Sequence, residues 1–239
     1  MINFNIERWQ AWAPGLACAD AWAKWSLAPC CPADPELQPD VAFLPPLLRR
    51  RMSRLARMIF AIAAPLAEDQ PRLPLVYASR HGEISRNFSL LSDLARSEPL
   101  SPTQFSLSVH NAIAGLWSIQ RGDTSEMTAL AAEGDGLEHA VIEASLLLDE
   151  GAPAVLLLIA EEQPPEPYRA WIDDVPFPYA LGLLLKPGTD WQLSLTAADT
   201  DMPAARWPHA LQLVRALHTT PSHFTHQWKT RRWNWQRTR

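Results

Sequence analysis

The sequence predicts a layered α/β domain built on a mixed, mostly parallel sheet, and three observations carry that expectation. Short apolar or alternating segments recur between stretches of helical period along the 239 residues, the order that βαβ units produce. One of them, AVLLLIA at 154–160, is apolar at every position, which suits a strand covered on both faces. The helical stretches stop where glycine or proline stops them. With 47% hydrophobic and 20% charged residues, the chain has the apolar surface for a substantial core.

Taken in order, INFNIERWQAWA (2–13) reads as a strand because Ile2, Phe4 and Ile6 alternate. A loop rich in proline and cysteine fills 29–46. A helix follows over about 47–67, bounded by Pro46 and by Asp69-Gln70-Pro71. Leu48, Met52, Leu55 and Ile59 share one of its faces, and Arg50, Arg54 and Arg57 another. LPLVYAS (73–79) is a short buried strand. EISRNFSLLSDLAR (83–96) is a helix with Ile84, Phe88, Leu91 and Ala95 in register. After a loop, FSLSVHNAIAGLWSIQRG (105–122) leads from an extended start into a helix closed by Gly122. Met127 to Ala132 forms a strand, and Gly136 to Glu150 a helix ended by Gly151. Beyond AVLLLIA, the segments YALGLLLKPG and WQLSLTAA (179–197) read as two strands joined by a Pro-Gly turn. WPHALQLVRALH (207–218) is a final helix. One layered unit at 1–200 and a C-terminal helix with a basic tail at 201–239 follow from this order.

Charge is distributed unevenly. The net charge is −5, yet no acid follows Asp201, whereas seven Lys/Arg do. The last twelve residues, WKTRRWNWQRTR, hold five cations and three tryptophans. Such a tail suits nucleic acid, an acidic protein or an anionic membrane; a frayed end, or an arm lying over an acidic surface, suits it equally. The cluster RRRMSRLAR (49–57) is in most helices simply a solvated face. No secretory signal is visible in MINFNIERWQ, the longest apolar run is far short of a membrane span, and three cysteines make no disulfide framework. A cytoplasmic protein is expected.

The segment TALAAEGDGLEHA (128–140) has the layout of a strand, a tight turn and a helix, where many enzymes mount a nucleophile. Its apex, however, is Glu133. Together with SPTQFSLSVHNAIAGLWSIQRG before it and VIEASLLLDEGAPAVLLLIAEE after it, the segment resembles the N-terminal half of a β-ketoacyl synthase. Asn111-Ala-Ile-Ala-Gly115 is similar to the family's Asn-containing helix, Ala132-Glu-Gly-Asp-Gly136 to its nucleophile turn, Gly151-Ala-Pro-Ala-Val to its later turn, and LPPLLRRRMSRLARM to its early helix. The resemblance covers roughly residues 40–165 and, more weakly, continues to about 197. It implies a half-domain of the thiolase-type α/β/α layered fold over 1–200.

In that family a cysteine at the apex takes the acyl chain as a thioester, its thiolate favoured by the helix dipole. Glu133 stands there instead and forms no stable thioester, and Cys18, Cys30 and Cys31 lie in an unrelated upstream segment. The family's paired histidines belong to glycine-rich loops that have no counterpart here. His209 and His218 read as surface or satisfied helix residues. His223 and His226 have an i, i+3 spacing but no nearby acid or cysteine, so no metal site is expected. Neither His110 nor His139 falls at a catalytic position. No cofactor is called for.

The resemblance therefore implies a non-catalytic subunit like a chain-length factor, the degenerate partner of an active synthase in type II polyketide systems. Closer still are the short synthase-like subunits of aryl polyene pathways. It implies a heterodimer with a full-length β-ketoacyl synthase, through the strand at Met127–Ala132 with Thr128 and Leu130, and through the helix from Asn111. Gln104 or Phe105 would reach the partner's tunnel, although Phe105 equally suits a plain core aromatic. Arg49, Arg50, Arg51, Arg54 and Arg57, or the tail, would attract an acidic acyl carrier protein. Two alternatives stay open: a malonyl decarboxylase using Glu133 beside Asp135, His139 or His110, and a nucleic-acid module built on the Trp/Arg tail, against which the acidic body argues.

Overall fold

The computed structural model describes residues 1–198 and 205–238. Strand β1 (Ile2–Trp12) is followed by helix α1 (Ala19–Leu27), α2 (Pro46–Arg51) and α3 (Arg54–Leu66). Next come β2 (Leu75–Ala78), α4 (Ile84–Ala95), α5 (Pro102–Ser106), α6 (Ala112–Arg121), β3 (Met127–Leu130), α7 (Gly136–Asp149) and β4 (Val155–Glu161). Strand β5 (Tyr179–Ala197), helix α8 (His209–Thr219), β6 (His223–Trp228) and β7 (Arg231–Arg237) complete the chain.

All seven strands join one sheet in the order β3-β2-β4-β5-β7-β6, with β1 along the other edge of β5. Alternation in β2 and β4 divides the core between two faces. Leu75, Tyr77, Leu156 and Leu158 meet α3 and α6 on one side; Val76, Ala78, Leu157 and Ile159 meet α7 and α8 on the other. All seven residues of β4 are buried, and each large aliphatic among them contributes about 1.5–3 kcal/mol. The result is the α/β/α layering of a thiolase-type fold with a mixed sheet. Its parallel part is confined to β3-β2-β4, and the remaining pairings are antiparallel.

Four local features differ from the sequence reading. The arginine-bearing helix is two helices, because Ser53 caps α3: its Oγ accepts from Ala56 N at 3.0 Å and donates to Glu83 at 2.5 Å. Helix α1 was not expected; it buries Trp22 and Trp25, and the Trp22 indole donates to the Ala11 carbonyl at 3.0 Å. The Pro187-Gly188 step is no hairpin turn but an irregularity within one 19-residue strand. There β1 shifts register between Phe4 and Asn5, the Asn5 side chain occupies the space where a Cβ on Gly188 would sit, and its Oδ1 accepts from Asp190 N at 2.9 Å. Finally, the Trp/Arg-rich C-terminus is the β6–β7 hairpin, paired to the second half of β5. The proposed boundary at 200/201 lies outside the described residues.

Candidate functional site

β3 ends at Leu130, and α7 begins at Gly136, so residues 131–135 form the turn at the C-terminal ends of the parallel strands. Crevices at such strand ends are where open α/β sheets bind ligands. Here the C-terminal hairpin lies over the turn, and each carboxylate is met by an indole and a cation. Glu133 accepts from Trp228 Nε1 at 2.9 Å and pairs with Lys229 at 2.5 Å and Arg231 at 3.5 Å. Asp135, with no exposed side chain, takes Arg231 in bidentate fashion at 2.6 and 2.9 Å, and Trp233 Nε1 at 3.0 Å. Glu138, one turn further and fully buried, accepts from Trp235 Nε1 at 3.1 Å, from His209 Nδ1 at 2.8 Å and from His226 Nδ1 at 2.6 Å.

The protonation pattern follows from these bonds. His209 Nε2 faces the Gln227 carbonyl at 3.3 Å, so both ring nitrogens meet acceptors and both carry protons. Burial opposes that charge, but the Glu138 carboxylate outweighs it and raises the His209 pKa. His226 donates from Nδ1 and has no bond at Nε2; burial lowers its pKa and keeps it neutral. Burial also works against ionised Glu138, yet the two histidines hold its pKa below the usual range. One negative and one positive charge are thus buried together. The three residues form the cluster nearest to a metal-site arrangement among the described residues. Nitrogen–oxygen separations of 2.6 and 2.8 Å are hydrogen bonds; zinc about 2.0–2.2 Å from each donor would hold them farther apart. The cluster fits a latch and does not fit a metal.

Glu133 is held at a pKa of about 2, chiefly by its bonds from Lys229 and Trp228. The carboxylate on which the decarboxylase alternative relies is thus already engaged by Lys229, Trp228 and Arg231. Of the proposed companions, His139 lies 3.4 Å from Asp135 and packs edge-on against Trp233, and His110 bonds the Ser79 carbonyl at 2.8 Å. Cys18, Cys30 and Cys31 are free and exposed around α1. No cysteine–histidine–histidine set occurs among the described residues. Trp233 and Trp235 are buried, so they offer no stacking platform to a nucleic acid.

Beside the turn lies a cavity of about 440 Å³, lined by Ser79, Ala132, Glu161, Tyr179, Trp207 and Trp228 among others. At its floor Glu161 accepts from Ser79 Oγ at 3.1 Å and from the Arg80 and His81 amides at 2.5 and 3.3 Å. Burial outweighs those bonds and pushes its pKa up to about 7. Sequence reasoning missed Glu138, Glu161 and Tyr179; it named the tail's tryptophans and cations, with an arm over an acidic surface as one reading, but not the carboxylates they meet. The one legible signal was an acid-free, cation-rich end in a chain with an acid-rich turn.

The other predicted residues sit elsewhere. Gln104 and Phe105 are on α5, where Gln104 bonds Arg86 and Phe105 is 62% exposed. Asn111 precedes α6 and is exposed. Thr128 and Leu130 are on β3, which ends the sheet order; Thr128 Oγ1 donates to Glu143 at 2.9 Å and Leu130 packs on the core. Arg50 and Arg51 are exposed and Arg49 is half-buried. Arg54 instead donates to the carbonyls of Pro35 and Leu37, and Arg57 to that of Arg49 at 2.8 Å.

A family profile described as beta-ketoacyl synthase, N-terminal domain, matches residues 22–236. Comparison with curated proteins returns no match. Among solved structures, the chain is similar to one from a ketosynthase in complex with its chain length factor from Xenorhabdus doucetiae. Identity is 29% and the TM-score 0.89, over 99% of this chain and 100% of that one. The ishigamide ketosynthase/chain length factor is 16% identical, with a TM-score of 0.62 over 84% of this chain and 68% of that one. A beta-ketoacyl synthase from Burkholderia phymatum STM815 is 12% identical, with a TM-score of 0.59 over 93% and 71%. These last two share the fold. No described helix is long and apolar enough to cross a membrane. With the profile spanning most of its length, the chain belongs to the beta-ketoacyl synthase N-terminal domain family as a member without the catalytic cysteine.

Proposed function

We propose that the protein is a non-catalytic ketosynthase-like subunit, akin to a chain-length factor, that pairs with an active β-ketoacyl synthase. The observation that carries this reading is a ketosynthase-type half-domain in which the turn after β3 holds an ion-paired carboxylate, Glu133, and no cysteine. A conserved shape without the reacting group suits a partner that supplies surface. That surface is the outer edge of β3 with the neighbouring helices, where Ile119 is 80% exposed and Met127 and Val109 are also uncovered. An unpaired strand edge flanked by apolar side chains is a ready site for strand addition.

In this reading Gln104 and Phe105 project from α5 toward the partner's acyl tunnel and help set product length. The product class is an aryl polyene or a related type II polyketide, made in the cytoplasm on an acyl carrier protein. Arg50 and Arg51, with Arg49, are the cations left to attract that acidic carrier, since Arg54 and Arg57 are turned onto backbone carbonyls. Co-expression with a full-length ketosynthase from the same gene cluster, followed by affinity capture and sizing, tests the pairing. A 1:1 heterodimer is the expected outcome. A soluble chain that ignores every ketosynthase offered would sink the reading.

A further inference from the structure

The cavity beside the turn plays no part in the pairing described above, and its construction is that of a ligand site. Its volume of about 440 Å³ falls within the range of small-molecule pockets. Apolar groups form much of the lining, including Leu137, Ile159 and Ala132, and three aromatic rings, Tyr179, Trp207 and Trp228, border the same space. Trp228 is fixed against Gly134 so closely that a Cβ there would strike its ring. Tyr179 is buried, and its hydroxyl has no hydrogen-bond partner among the described residues.

The cations of the wall are unequal. Arg80 is tied to Asp174 at 2.6 Å and Lys229 to Glu133 at 2.5 Å. Arg206 stacks over Trp207 at 5.0 Å, and no ion pair engages it among the described residues. Of the acids, Glu133 and Asp174 are paired, Glu161 is held by the donors at its floor position, and Asp173 is exposed. We propose that this cavity binds a small aromatic carboxylic acid, with the ring among Tyr179, Trp207 and Trp228 and the carboxylate on Arg206. Rings favour other rings in edge-to-face contact, and a guanidinium without a carboxylate partner is the natural seat for one.

Isothermal titration of the full chain, alone and as co-purified with its ketosynthase, tests this with three probes: trans-cinnamate, cinnamyl alcohol and hexanoate. Saturable 1:1 binding of cinnamate is expected, tighter than that of hexanoate. Arg206→Gln, at an exposed position, weakens cinnamate about tenfold and leaves cinnamyl alcohol unchanged. Ala132→Leu, which fills the cavity, removes both. Absence of saturable cinnamate binding up to about 1 mM overturns the proposal. So does hexanoate binding as tightly as cinnamate, or cinnamate binding that Arg206→Gln leaves intact. Should Ala132→Leu fail to fold, the Arg206→Gln titration decides alone. The outcome is independent of the pairing, which affinity capture reads separately.

Discussion

Asp135 has a side chain with no exposed surface, and Arg231 and Trp233 supply its donors. Removing one partner of such a pair leaves a buried charge uncompensated. Arg231→Met is therefore expected to lower stability by about 2–4 kcal/mol, measured by urea unfolding. Glu133→Gln, at an exposed carboxylate with flexible partners, is expected to leave the urea midpoint nearly unchanged. The two substitutions separate the buried carboxylate that anchors the hairpin from the exposed one beside it. Protonation acts in opposite directions at two places. The lowered pKa values of Asp135 and Glu138 make the unfolded chain take protons first as pH falls. The stability they contribute is present above the ordinary carboxylate pKa, 4.5 for a glutamate, and is lost as pH falls below it. Glu161 and Glu162, raised to about 7, bind protons more tightly when folded, so their contribution is full below pH 4.5 and is lost as pH rises through 7. Glu161→Gln is expected to flatten part of the decline between those values in urea-unfolding free energies, with Glu162 responsible for the remainder.

At the scale of elements, the hairpin and the start of α7 behave as one unit. Three indole donors and two cations from the hairpin, together with His209 of α8, meet the three carboxylates of a single turn and helix start, and Trp233 and Trp235 are core residues besides. Deleting the chain after Thr220 is accordingly expected to abolish cooperative unfolding, where loss of a solvated tail would leave the melting curve intact. A gentler test is Gly134→Ala. Its new methyl meets the Trp228 ring, so the hairpin tip must shift and the Trp228 indole proton should lose the shift signature of its bond to Glu133 in an NMR spectrum. The interior of the sheet was legible in the sequence because β2 and β4 are short apolar runs, and α3, α4 and α7 because their spacing repeats. The single β5 was not: Pro and Gly punctuate a turn by local preference, and only Asn5 of β1, far away in sequence, makes the same two residues an irregularity in a continuous strand.

For the whole molecule, the proposed pairing sets the open edge of β3 and the apolar residues around α5 and α6 against the partner. Ile119→Arg and Met127→Arg place charges on exposed positions, so each is expected to weaken capture by a ketosynthase at least tenfold while leaving the isolated chain's melting temperature unchanged. An effect on melting would instead mean that these side chains support the fold itself. If Phe105 reaches the partner's tunnel as proposed, Phe105→Ala in the assembled complex is expected to alter product length, read by mass spectrometry of the complex's product.

The residue types by themselves determined the alternation of strands and helices, the likeness to a ketosynthase half-domain and the absence of a cysteine from the turn around Glu133. Each of these rests on neighbours within a few turns or residues. The tertiary structure decided what the two unusual segments do with each other. Glu133, Asp135 and Glu138 lie roughly a hundred positions before Trp228, Arg231, Trp233 and Trp235, and no local pattern encodes a pairing at that separation. Folding brings them together because the buried carboxylates require donors and charge, and the cation-rich hairpin supplies both.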